Sequence, residues 1–320
     1  MRIARVVGMI GRVMMTAGAV LLLFVVYQLW GTGLQAAQEQ ERIEDEFAAL
    51  QESVGAPSAT TTTPPDTSTA DTSVPDGTTP PTSAPVAQPV SLPVLDPGDP
   101  IGRIRIDKIG VDWMVIEGVP LSLLNKAPGH FPGTPLPGQA GNSAIAGHRT
   151  TYGAPFNRVD ELKSGDEITI TYVTGAEFTY SYRTTEIVTP DRTDVLQAKD
   201  FDGDGETDNM LTLTACHPKY SARERIIIRA RLEEAPIPIP QGQRPTRQEE
   251  VSLDDAEQTE PVSKAPAVLW GLAAAAIWLA AYFVGRAWRK WPAYLIGFPF
   301  FAVTLYVFFE NFYKLLPAGF

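Results

Sequence analysis

Three long uncharged runs dictate most of what this chain can become. Val13–Trp30, "VMMTAGAVLLLFVVYQLW", has no charged side chain and approaches the roughly 20 apolar residues that cross a bilayer. Ala267–Val284 and Tyr294–Phe309 repeat that signal near the other end. A chain bracketed in this way folds its water-soluble body between the runs, on one side of a membrane. Arg2, Arg5 and Arg12 precede the first run, and Arg286, Arg289 and Lys290 separate the last two. Cytoplasmic segments collect such charges, and both clusters give the same topology. The N-terminus is inside, the middle is outside, the second run returns at the basic turn, and the third leads out to leave Pro317–Phe320 outside. A cleaved signal peptide fits the first run less well. Its apolar region is typically about 7–15 residues and ends at a small-residue site, for which "GTGLQAAQEQ" is a poor match. The third run is short and holds Pro299, so a re-entrant hairpin is its alternative.

Composition divides what remains. Leu34–Ser53, "LQAAQEQERIEDEFAALQES", reads as a charged helix leaving the bilayer as a solvated stalk. Ser58–Pro93 is mostly Thr, Pro, Ser, Asp and Ala, too little apolar surface to offset the entropy of ordering, so a disordered tether is expected. Pro236–Lys264 is a second Pro- and acid-rich linker. The expected divisions are therefore 1–31, cytoplasmic N-terminus and anchor; 32–93, stalk and linker; 94–234, an extracellular domain; 235–264, linker; and 265–320, two membrane helices around a basic cytoplasmic turn. The net charge of −11 argues against nucleic acid, which needs a basic patch, although much of that charge lies in the linkers.

Between 94 and 234 the pattern has period two. "DEITITYVTG", "EFTYSYRTTEIV", "MLTLTA" and "RIIIRARL" alternate or are rich in Val, Ile, Thr and Tyr, with turn signals between them. Only "PFNRVDEL" and "DVLQAK" look helical. The pattern predicts a mainly β barrel.

The one cysteine of the chain, Cys216, ends a strand-like run in "LTLTACHPKYSARERIIIRARL". A lone thiol is either buried and inert or reactive. A reactive one needs a base or a cationic field. His130, His148 and His217 are the only histidines. His217, next to the cysteine on a strand, points to the opposite face. His148 ends the apolar run "SAIAG", and His130 lies in the loop "APGHFPGTPLPG". Arg223 and Arg225 follow across a turn that would return one of them beside the thiol, where a guanidinium lowers a thiol pKa and offers donors to an oxyanion. Each of these residues has an alternative as an ordinary structural or surface side chain.

"LTLTACHPKYSARERIIIRARL" resembles the T-L-x-T-C…R segment of sortases, the membrane-anchored cysteine transpeptidases of Gram-positive bacteria. "GNSAIAGHRTTYGAPFNRVDELKSGDEI" resembles their A-G-H-R segment in its actinobacterial class E form, and "APGHFPGTPLPGQAGN" the loop before it. The resemblance spans about Gly102–Leu232. It implies a closed eight-stranded β-barrel with short helices, and a catalytic set of His148, Cys216 and Arg225, the last chosen over Arg223 because it directly precedes the final strand. It also implies Phe131, Tyr152, Thr214 and Ala215 around the substrate. Ala215 stands where the family more often has Thr. Phe131 stands where class E usually has a tyrosine linked to preference for Ala at the second position of the signal, so L-P-x-T-G is expected to be tolerated better. No cofactor is required. The implied partners are surface proteins bearing a C-terminal sorting signal, the amine of a lipid-linked peptidoglycan precursor, and membrane lipid. A pilin-polymerising enzyme, a thiol peptidase and a non-catalytic wall-binding scaffold are the competing readings.

One further motif stands apart. "DFDGDGETD", with Asp200, Asp202, Asp204, Glu206 and Asp208, follows the D-x-D-x-D-G spacing of calcium loops. Leu211 takes the twelfth position, where a bidentate Glu is expected. A solvated acidic turn is the alternative.

Overall fold

The computed structural model describes residues 2–55, 95–201, 203–237, 263–287, 290–313 and 315. Ser58–Pro93, most of Pro236–Lys264 and Pro317–Phe320 lie outside the described residues.

The alternating segments form eight strands: β1 Pro100–Ile106, β2 Val111–Glu117, β3 Gly129–His130, β4 Asn142–Ala146, β5 Glu167–Tyr172, β6 Glu177–Val188, β7 Met210–His217 and β8 Glu224–Leu232. They close into a barrel in the order β1-β2-β3-β4-β7-β8-β6-β5, as expected. Alternation places one side-chain set inside. Ile104 and Ile106 of β1, Ile168 and Ile170 of β5, Leu211, Leu213 and Ala215 of β7, and Ile226 and Ile228 of β8 fill the barrel with Phe156 and Tyr180. A barrel of this strand number is just wide enough for side chains to fill it. Gly102 permits the close approach of β1 to β5, since a Cβ there would lie 2.4 Å from the Thr171 carbonyl oxygen.

The opposite face of β4, β7 and β8 is covered as well. Ala144, Ala146 and Ile227 pack there with Val119, Leu124, Phe131, Val188, Val195 and Leu196 in a second core. This explains why every residue of β4 is buried.

The helices are α1 Arg2–Val26, α2 Thr32–Gly55, the single turn α3 Leu121–Leu124, α4 Ala265–Ala287 and α5 Lys290–Tyr313. A π-helical segment, Tyr27–Gly31, joins α1 to α2 without a break. The stalk expectation is corrected here, because α2 lies against the barrel. Its Ile43 and Phe47 pack on Met114 and Ile116 of β2, with Ala127 and Val173. Gln40 substitutes for a missing strand partner: its Oε1 accepts from Met114 N at 2.7 Å, and its Nε2 donates to the Lys126 carbonyl at 3.2 Å. Gln40→Ala leaves those groups unpaired, at a cost of about 1–3 kcal/mol. Hydrogen exchange at the Met114 amide in the full chain is expected to rise about tenfold, and unchanged exchange would show that water replaces the glutamine.

Ala265–Ala287 and Trp291–Tyr313 are long and apolar enough to cross a membrane. They pack as a hairpin through small residues, with Gly271 against Phe308 and Gly297 against Ala281. Pro299 sits inside α5 without ending it. The apolar helical part of the first run is shorter, Met14–Val26.

Candidate active site

Strand register brings the candidate residues together. β7 pairs antiparallel with β8, and Cys216 stands directly opposite Arg225, so their side chains leave the same face with Cα atoms about 4.5–5.5 Å apart. On the other side β7 pairs parallel with β4, with Thr214 opposite Ala146. The Gly147 amide donates to the Thr214 carbonyl at 3.1 Å. His148 follows two residues beyond that pair, in the loop that leaves β4. Cys216 and Arg225 thus occupy one rung of β7 and β8, with the cysteine half-buried, and His148 lies in the loop that leaves the neighbouring strand β4.

Arg225 is buried, and its Nη1 donates to the carbonyls of Ala222 at 2.7 Å and Glu224 at 3.2 Å. Those bonds fix the guanidinium at the start of β8, whereas Arg223 is exposed.

His148 is held by groups that the sequence did not reveal. Its Nε2 lies 3.0 Å from Asn125 Oδ1. With the amide oxygen accepting, Nε2 carries the proton and Nδ1 is the basic nitrogen. The ring stacks on Tyr152 with centroids 5.1 Å apart. One edge stays accessible, but enclosure in protein disfavours the imidazolium and lowers the pKa from 6.5 to about 4. His148 is therefore neutral at physiological pH and able to accept a proton. A titration of the three histidines by NMR is expected to show one midpoint near 4, and a His148 midpoint above 6 would refute this. Since the unfolded ring binds its proton first as pH falls, this group's contribution to stability is intact above about 6.5 and is lost progressively toward 4.

Arg149 ties the two motifs together. Its side chain is buried, with Nη2 2.9 Å from Asp160 Oδ1 and Nη1 3.3 Å from the Cys216 carbonyl and 2.9 Å from His217 Nδ1. Partial burial opposes ionisation of Asp160, but Arg149 outweighs it and holds the carboxyl below its usual range. The strand end that carries Cys216 is so pinned to the loop that carries His148. The only signal in the sequence was the position of Arg149 next to His148. The other histidines are occupied. His217 accepts from Arg149, and buried His130 bonds to Glu117 at 2.8 Å, and to Thr134 and the Pro135 carbonyl at 3.0 Å.

The four expected substrate residues separate into different roles. Thr214 lies on the Cys216 face, and its buried Oγ1 has no hydrogen-bond partner, leaving a polar atom beside the nucleophile. Ala215 is a correction: one residue from each, it points into the barrel core and lines no groove. Phe131 is a second correction. Its side chain is fully buried in the second core and has no surface to offer a peptide. Tyr152 is buried between His148 and Tyr313 of α5.

Among the described residues no group of three or more acidic, His or Cys side chains could hold an ion, and Asp202 lies outside them. Asp200 accepts from the Gly203 and Gly205 amides, and Asp204 from the Glu206 amide. Asp208 is turned away to Arg231 at 3.0 Å and the Phe201 amide at 2.8 Å.

The barrel is similar to known proteins. The Sortase domain model matches residues 104–233. Sortase SrtE1 of Streptomyces coelicolor is 28% identical over 241 residues, covering 70% of this chain and 56% of that protein. Sortase D of Bacillus subtilis is 31% identical over 121 residues, covering 38% of this chain and 56% of that one. The chain therefore spans about half the length of these two curated relatives. Among solved structures, a Clostridium perfringens Sortase D5 transpeptidase is 35% identical, with 44% of this chain and 83% of that chain covered and a TM-score of 0.39. Sortase E of Streptomyces avermitilis is 33% identical, with 44% and 93% covered and a TM-score of 0.38. The family model spans the barrel from β1 to the residue after β8, so the barrel of this chain is a sortase domain, with class E sortases among its relatives.

Proposed function

We propose that the protein is a membrane-anchored cysteine transpeptidase that cleaves a C-terminal sorting signal of the L-A/P-x-T-G type between Thr and Gly. It then transfers the acyl group to the amine of a cell-wall precursor. Members of the sortase family are cysteine transpeptidases. The assignment to particular residues is supported by Cys216 and Arg225 facing each other across β7 and β8, with His148 in the loop that leaves the adjacent strand β4.

Neutral His148 takes the proton of the Cys216 thiol as sulfur attacks the Thr carbonyl carbon. The oxyanion that forms is held by the Arg225 guanidinium and backbone N–H groups. Collapse breaks the Thr–Gly bond, His148 returns its proton to the departing glycine amine, and a thioester remains on Cys216. An incoming amine attacks that thioester, gives a proton to His148, and expels the sulfur, which recovers the proton. Each half reuses the same base and the same oxyanion donors, so the energy of the first peptide bond is conserved in the second.

In the proposed topology the N-terminus is cytoplasmic and the barrel is extracellular, anchored by α1 and by the α4–α5 hairpin. A sortase C of Clostridium perfringens has been solved with the C-terminal cell wall sorting motif, the class of peptide proposed here. The deciding experiment incubates the full chain in nanodiscs with L-A-x-T-G and L-P-x-T-G peptides and an amine acceptor. An acyl adduct mapped to Cys216 by mass spectrometry, discharged by the amine, is the expected result. Cleavage with water as sole acceptor would make the protein a peptidase, and neither adduct nor cleavage would overturn the reading.

A further inference from the structure

The residue that completes the histidine loop lies far from both catalytic motifs, on a membrane helix. The loop after His148 is strained, since Tyr152 and Ala154 have φ of +50° and +47°, with Gly153 at +73° between them. Left-handed backbone at non-glycine residues costs on the order of 1–3 kcal/mol each and persists only where surrounding contacts impose it. Here those contacts come from the helices. The Tyr152 amide donates to Thr32 Oγ1 at 3.2 Å, and that hydroxyl in turn donates to the Gln28 carbonyl at 2.8 Å. The Tyr152 ring is enclosed by Tyr27, Ala36, Leu305, Phe309 and Tyr313. Tyr313, at the end of α5, packs on it with centroids 5.7 Å apart. The Tyr152 ring also stacks on His148, with centroids 5.1 Å apart.

We propose that Tyr313 is a positioning residue of the catalytic site: by clamping Tyr152 against His148 it makes the docked end of α5 a working part of that site. A barrel without this helix would keep its strands, yet the loop would relax, and His148 would lose its stacking partner and gain water. This rests on the catalytic reading of His148 given above, but its structural half can be measured without any substrate.

The test compares full-length Tyr313→Leu and Tyr313→Phe with the unmodified chain in nanodiscs. Leucine keeps the apolar bulk of the helix end and removes both ring and hydroxyl. In Tyr313→Leu the His148 midpoint is expected to rise by at least about one unit toward 6.5, as opening of the stack hydrates the ring. Turnover of the sorting peptide is expected to fall on the order of 10–100-fold, the scale of a displaced catalytic group, in kcat with KM little changed. Tyr313→Phe, which keeps the ring, is expected to recover the midpoint and most of the rate. Thr32→Val, which removes the acceptor of the Tyr152 amide, is expected to move the midpoint in the same direction, and it keeps the test open should Tyr313→Leu fold poorly. A His148 midpoint and kcat unchanged in Tyr313→Leu would overturn the proposal. If no peptide is turned over even by the unmodified chain, the proposed function fails, while the midpoints still decide whether α5 holds the loop.

Discussion

Cys216→Ala is expected to abolish both adduct formation and transfer, a loss on the order of 10^6-fold as found when a catalytic nucleophile is removed. Nothing else in the chain can take over the step, because Cys216 is the only cysteine. Stability should barely change, since the residue's ladder bonds to β8 are made by its backbone and its half-buried side chain fills no core. Unfolding midpoints within about 1 kcal/mol of wild type, together with complete loss of the acyl adduct in intact-mass measurements, is the predicted pair of results. Residual transfer in Cys216→Ala would mean that another group attacks the peptide, and the assigned chemistry would be wrong.

The second large effect is at Arg225. Arg225→Ala is expected to lower kcat on the order of 10^2–10^3-fold, the usual cost of deleting an oxyanion donor, with KM much less affected. Lysine should not restore it. The guanidinium is held in a fixed plane by two carbonyls of the β7–β8 turn, and a point charge on a flexible stem cannot reproduce that fork. Because Arg225 is buried, exchange protection of β8 must be followed in parallel, so that lost chemistry is separated from a loosened strand. Near-normal kcat in Arg225→Ala would transfer the role to another donor.

The barrel was legible because alternation in "DEITITYVTG" and "RIIIRARL" converts directly into one buried face, and the motif around the lone cysteine named Cys216 and Arg225, which the register sets opposite each other. The substrate side was less legible, and Ala215 shows why. Adjacent strand residues face opposite ways, so a motif that lists Thr214, Ala215 and Cys216 together cannot assign all three to one surface. Phe131 was misjudged for another reason: an aromatic in a Pro/Gly loop gives no hint that a second core lies outside the barrel. The docking of α2 did leave a trace. Ala36, Gln40, Ile43 and Phe47 recur at helical spacing along one face of a charged helix, but two large apolar side chains are too few to separate a seated helix from a stalk. In β2 the unbroken "MVI" recorded the matching surface, since Met114 and Ile116 face α2 while Val115 faces the barrel interior. Tyr313, Thr32 and Asn125 left no trace, because each acts through long-range contacts that no local pattern encodes.

The unbroken passage from α1 into α2, and the seating of α2 on β2, change the meaning of the long Thr- and Pro-rich stretch. Residues 56–94 join two parts that already touch, so they do not set how far the barrel stands from its anchor. Under the proposed anchoring by α1, the working radius of the thiol would be set by the helices, and the proposed enzyme would be confined to a thin layer at the lipid surface. On that proposal, target proteins and acceptors would have to be presented in that layer while still close to the bilayer, and a more distant strand of the wall would lie beyond reach, however long the linker grows.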